Sequence, residues 1–159
     1  MFKKYGIENG GGSKEAQLKI EKTKKLRGTF GKSKEEDKIF DLLKEKFGDV
    51  NRQYHSDLYQ FACDFYIPKL DLYIEYQGYW THGHEAHTIY GPFDENNQIH
   101  RETLRKWKQK AKEGYKSYDV AIRVWTISDP LKRETAQKNN LNWLEFWTFE
   151  EFLKWYKEQ

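Results

Sequence analysis

The stretch that decides the reading runs from Cys63 to Gly78, CDFYIPKLDLYIEYQG, two short apolar runs joined around Pro68. A period of two puts Cys63, Phe65 and Ile67 on one side of the first run and Asp64 on the other. In the second run Leu72 and Ile74 alternate with Asp71, Tyr73, Glu75 and Gln77. A turn over Pro68–Asp71 then sets Ile67 against Leu72, Phe65 against Ile74 and Asp64 against Glu75. Two acids would share one face of a hairpin. Like charges directly opposite destabilise a ladder by up to roughly 1 kcal/mol, and by more where water is excluded. A divalent cation compensates directly, because Mg²⁺ takes a few carboxylates together with waters and phosphate oxygens. Protonation of one acid, or solvent reaching both, is the alternative, and a permanent internal salt link would remove the need for a cation.

Upstream, Ile39, Phe40, Leu43 and Phe47 recur at helical spacing over Ser33–Phe47, and Gly48 supplies a stop. Glu36 lies on the inward face of that helix, where an ionised side chain needs a partner; Ser33 with Glu36 also makes the S-x-x-E spacing of a capping box. A strand around Arg52–His55 precedes strands at Asp57–Ile67 and Leu70–Gln77. Downstream, a helix is expected over Ile99–Glu113 before Gly114, and a further strand over Val120–Ile127 (VAIRVWTI). A helix opened by Asp129 and Pro130 should run to about Lys138, followed by a short strand at Asn142–Phe146. Thr148–Lys157 closes the chain as a helix with Thr148 and Glu151 at capping-box spacing. Strands clustered early with helices on the connections predict an α/β fold, a mixed central sheet flanked by helices.

With 159 residues the chain fits one ordinary domain with at most a small appendage, and its 17% aromatic content separates it from disordered chains despite 33% charged residues. The single Cys63 makes no internal disulfide, no apolar run reaches the roughly 20 residues that span a bilayer, and the start MFKKYGIENGGGSK is not a secretory signal. No membrane partner and a cytoplasmic location are therefore expected. The net charge of +3 hides an uneven distribution: nine Lys/Arg against three Glu through Lys32, then 19 against 22. A basic end of this kind suits a polyanion, whose counterions are released on binding. Gly10–Gly12 breaks the segment, and a weak basic helix is expected from Ser13 to about Arg27.

The ordered set of Ser33-x-x-Glu36, Asp64 and Glu75-Tyr-Gln77 within a helix and three strands resembles the PD-(D/E)xK nuclease superfamily, the restriction-endonuclease-like fold. More narrowly, KSKEEDKIFDLL, CDFYIPKLDLYIEYQG, YWTHG and WTISDPLKRETAQKNNLNWLEFW are similar to small homing-type endonucleases of bacteriophages. The resemblance implies an αβββαβ core with C-terminal αβα elements over residues 32–159, and a metal-dependent DNA endonuclease acting on double-stranded DNA. Asp64 and Glu75 would be ligands of Mg²⁺, for which Mn²⁺ can substitute, and Glu36 would assist the metal shell or orient the water.

Gln77 stands where the family pattern has Lys, and a neutral amide does not stabilise developing negative charge as an ammonium does. Lys106, Lys108 or Lys110 on the following helix would have to substitute, or the chain is weak or inactive. His82 offers another remedy. The run from Asp64 through Gly78, Tyr79 and Trp80 to His82 also resembles the very short patch repair nicking enzymes, in which a histidine after the central strand serves catalysis. His82, His84 and His87 in THGHEAH suit zinc only thinly with one cysteine and no CxxC.

Residues 1–31 resemble the modular DNA-binding segment often attached to phage homing nucleases, with Lys19, Lys22, Lys24, Lys25 and Arg27 as phosphate contacts; Lys106, Lys108 and Lys110 are further candidates. Tyr79 and Trp80 stand beside the expected site, placed for a wedge into a base step. Trp125, Trp143, Trp147 and Trp155, with Phe146, Phe149 and Phe152, are read as core ahead of base-stacking platforms. The alternatives to a homing-type nuclease are a mismatch-directed nicking enzyme, a DNA-binding module that has lost its chemistry, and a structural domain. A single nuclease domain cuts one strand at a time, so a double cut would call for a homodimer.

Overall fold

The computed structural model describes residues 34–78 and 91–159. The chain divides into two compact units, Met1–Asp41 and Leu42–Gln159. Helix α1 (Lys34–Phe47) carries three acids in its first turn and Lys44 and Lys46 in its last, in line with the helix dipole. Gly48, at φ 83°, ends it where an L side chain would be strained. Of the first unit the described residues are the opening turns of α1, in which Glu36 and Ile39 are buried.

The second unit is built on a four-stranded mixed sheet in the order β1-β2-β3-β4. Strands β1 (Asn51–Ser56), β2 (Tyr59–Ile67) and β3 (Leu72–Tyr76) form an antiparallel meander. A 3₁₀ turn, Pro68–Leu70, joins β2 to β3 and closes on Asp71, which adopts the left-handed conformation at φ 48°. The hairpin register is the one expected from the alternation, with Phe65 opposite Ile74 and Ile67 opposite Leu72. Strand β4 (Asn142–Phe146) runs parallel to β3, pairing Glu75 with Glu145. That leaves β3 interior to the sheet, and every one of its residues is buried.

Between β3 and β4 the chain is helical among the described residues. Helix α2 (Gln98–Lys112) is capped by Asn97, whose side chain accepts from the amides of Ile99 and His100. Helix α3 (Lys116–Arg123) follows, then a π turn over Val124–Ser128, then α4 (Asp129–Lys138).

The strand expected over Val120–Ile127, the fourth of five in the expected order, is therefore absent. The burial explains why. Ala121 and Trp125 are buried at a spacing of four while Val120 and Ile127 are 46% and 60% exposed, which is the signature of a helix face and not of a buried strand. The π turn has its own cause. Pro130 lacks an amide hydrogen and its ring would clash with the carbonyl of Thr126 in a regular α-helix, so the turn widens there, with Asp129 donating to the Val124 carbonyl.

Trp107, Ala121 and Trp125 form a small core between α2 and the π turn, joined by Phe93, Tyr118 and Ile122. Helix α5 (Phe149–Lys157) starts with the expected capping box between Thr148 and Glu151. It packs Phe152 and Trp155 on Phe146, and Phe47 of α1 lies against Trp155. The aromatic residues Trp125, Phe146, Trp147 and Phe152 are thus core, as expected. No helix among the described residues is long and apolar enough to cross a membrane.

Candidate functional site: an acid pair under helix α4

The acids of the hairpin meet. Asp64, on the second strand, accepts a hydrogen bond from the backbone amide of Tyr76 at 2.8 Å and acts on the neighbouring Glu75 carboxyl. Asp64 is half-buried, whereas Glu75 is only 1% exposed. Burial first, and the facing Asp64 second, push the Glu75 carboxyl well above the usual carboxylate range. Lys132 and a hydrogen bond from Tyr59 act in the opposite direction without cancelling the rise. Tyr59 is itself buried, and burial together with Glu75 holds its phenol protonated, so it serves Glu75 as a donor.

The cation of the site comes from α4. Lys132 Nζ lies 3.6 Å from Glu75 Oε2, with its side chain 18% exposed. Burial alone would pull the ammonium down, but the summed field of Glu75, Asp64 and Asp129 raises it. At 3.6 Å it is a neighbouring charge and not a charge-assisted hydrogen bond, which closes to about 2.7–2.9 Å. Lys132 is thus the cation that faces Glu75 and Asp64, with Asp129 on its own helix.

Gln77 ends the row. It is 1% exposed, donates from its backbone to Phe146 at 2.7 Å and from its amide to Glu145 Oε2 at 3.1 Å. Arg133 Nε holds the other oxygen of Glu145 at 2.6 Å and its guanidinium lies over the Trp147 ring. Glu145 is therefore neutralised by its own arginine and fixes Gln77, whose Oε1 is buried with no hydrogen-bond partner among the described residues.

The residues expected at the site divide as follows. Asp64, Glu75 and Gln77 stand on adjoining positions of the hairpin and its end. Glu36 is buried on α1 in the first unit, and the site is described from the second. His82, with His84, His87, Tyr79 and Trp80, lies outside the described residues, as do Ser33, Gly10–Gly12 and the basic positions Lys19, Lys22, Lys24, Lys25 and Arg27. Lys106, Lys108 and Lys110 are exposed on α2, and the cation against Glu75 is Lys132 instead.

Lys132 becomes recognisable only once the inward face of α4 is known. Asp129 and Ala136 are buried on α4, and Lys132, three and four residues from them, has to share their inward face. An inward lysine needs an acid, and Glu75 is the inward acid of the hairpin.

Among the described residues no group of three or more His, Cys, Asp or Glu is arranged to hold a metal ion. Two oxygen-donor carboxylates with one side partly exposed nevertheless suit a hard cation such as Mg²⁺, which completes its shell with water and phosphate oxygens and needs no protein cage. No protein-family model matches the chain, and neither a curated protein nor a solved structure matches it.

Proposed function

We propose that the chain is a metal-dependent DNA endonuclease that hydrolyses phosphodiester bonds, a homing-type enzyme of the PD-(D/E)xK superfamily. The observation that carries this reading is the Asp64–Glu75 pair across the hairpin with Lys132 beside it. The element order supports it: a helix, a three-strand meander and, after the helical connection, a strand parallel to β3.

Asp64 and Glu75 would hold Mg²⁺, with Mn²⁺ able to substitute; bound there, the metal would polarise the scissile phosphate and favour deprotonation of water. The chain's own residues do the rest. Tyr76 N–H and Tyr59 O–H fix the two carboxylates, so their geometry is set before substrate arrives. Lys132 supplies the positive charge that Gln77 lacks, against the negative charge that develops on the phosphate. Gln77, clamped by Glu145, presents an amide oxygen that can accept a hydrogen bond.

One observation favours a second reading, a DNA-binding module without chemistry. Lys132 and Tyr59 both approach the same oxygen of Glu75, as they would in a purely structural network. The Glu75 carboxyl argues against it, because burial and Asp64 hold it well above the usual carboxylate range in spite of Lys132 and Tyr59, which a fully satisfied ion pair would not leave. Supercoiled plasmid incubated with Mg²⁺ or Mn²⁺ decides between them. The nuclease reading expects cutting that falls at least about 100-fold in Asp64→Asn and Glu75→Gln, the loss expected when several kcal/mol of metal-borne stabilisation go. Retained DNA binding with no cutting by the parent chain establishes the second reading; a mispaired duplex cut in preference to a paired one points to the mismatch-directed variant.

A further inference from the structure

Helix α2 presents its inner face to the small aromatic core, burying His100, Thr103 and Trp107. Its outer surface is not uniform. Arg101, Arg105, Lys108 and Lys112 are spaced four, three and four apart and are all exposed. At about 100° per residue they fall within a strip about 60° wide and about 16 Å long. No acid stands in that strip.

The opposite flank carries Glu102, Lys106, Gln109, Lys110 and Glu113, two acids mixed with two lysines. Gln109 donates to Glu113 at 3.1 Å and Lys110 lies 5.3 Å from the centre of the Tyr115 ring, whereas in the strip Arg101 donates to the backbone carbonyl of Glu95 at 3.0 Å and keeps its net charge. The sequence alone groups Lys106, Lys108 and Lys110 together; the helix separates Lys108 from the other two.

We infer that the strip of Arg101, Arg105, Lys108 and Lys112 is a docking surface for the phosphate backbone of double-stranded DNA. It rests on the nucleic-acid half of the reading above and not on the chemistry. A line of cations that length matches consecutive backbone phosphates, and binding there gains from counterion release. An anionic membrane would ask for the same charges with an apolar face beside them to insert. On α2 that face is already taken up by Trp107 against Trp125 and Ala121.

The test compares two variants of the full-length chain with equal loss of charge, Arg105→Gln/Lys108→Gln and Lys106→Gln/Lys110→Gln. Binding of a fluorescent DNA duplex is measured in EDTA over a range of NaCl. Each lost phosphate contact lowers the slope of log K against log[salt] by about 0.9, which is about eightfold in affinity at about 100 mM salt. The first variant is expected to lose about two units of slope and more than about tenfold in affinity, and the second less than about half a unit. Equal effects from the two variants, or none from the first, overturn the inference. So does equally tight binding to phosphatidylserine vesicles that depends on the same two residues. The nuclease reading fails separately: adding Mg²⁺ then yields no cut product while the difference in slope persists.

Discussion

Glu75 is an acid that has lost its water to burial, faces Asp64 and keeps a phenol and an ammonium for company. Its folded pKa is raised, so its contribution to stability is full below the unfolded value near about 4.3 and is lost as pH rises through the folded one. Glu75→Gln is neutral at every pH and escapes that loss. In EDTA the Tm of Glu75→Gln relative to the parent chain should therefore climb from about pH 5 to about pH 8, and added Mg²⁺ should narrow the gap; a flat difference would mean that Glu75 is ionised throughout. Lys132→Met removes the only ammonium described beside the pair and should cost about 1–3 kcal/mol, with Glu75→Gln/Lys132→Met recovering part of it, as denaturant melts of the double-mutant cycle would read. The same Lys132→Met should lower plasmid cutting by about 10²–10³-fold, the usual weight of one preorganised charge. Asp64 and Glu75 were legible in the sequence because alternation and the Pro68 turn leave one register that buries Phe65, Ile67, Leu72 and Ile74 together. Lys132 was not, because a lysine reads as solvated surface until the helix face beneath it is known.

Elements with a unique period were readable, and those without one were not. Helices α1, α2 and α5 announce themselves by periodic apolar residues with stops or caps, and the β2–β3 hairpin by strict alternation. VAIRVWTI has neither pattern: it is a short apolar run rich in β-branched residues, the kind that length and composition alone assign to a strand. What decides it is the partner surface, since Trp125 reaches Trp107 and Phe93 only when Ala121 and Trp125 share a helix face. Two substitutions separate the readings. Trp125→Ala should cost about 3–5 kcal/mol, the usual consequence of emptying a buried aromatic site, whereas Ile127→Thr should stay within about 0.5 kcal/mol. A buried strand over the same residues would make both severe, so urea melts of the pair test the π-turn connection directly. At α5, Thr148→Ala removes the cap that accepts from the Glu151 amide and should cost about 1 kcal/mol.

Along the chain the charges are unevenly distributed, as the proposed DNA-acting function would require. The excess of base lies in the segment that ends at Lys32 and along α2, while Asp64 and Glu75 meet on β2 and β3 beside Lys132 of α4. The order of strands gives that arrangement its stiffness: β3 is held on both edges, by β2 and by the parallel β4, so the backbone that carries Glu75 and Gln77 cannot drift from Asp64 or Glu145. Charge sorting also makes the two basic regions separable by experiment. Replacing Lys19, Lys22, Lys24, Lys25 and Arg27 with Gln should lower the salt slope of duplex binding by up to about 4.5 units if every one of them meets a phosphate, and proportionately less if some remain in solvent. Combined with Arg105→Gln/Lys108→Gln, the two losses of slope should add, because each charge releases its own counterions. A combined loss no larger than the greater of the two would mean that the regions compete for one stretch of backbone and do not engage the duplex together.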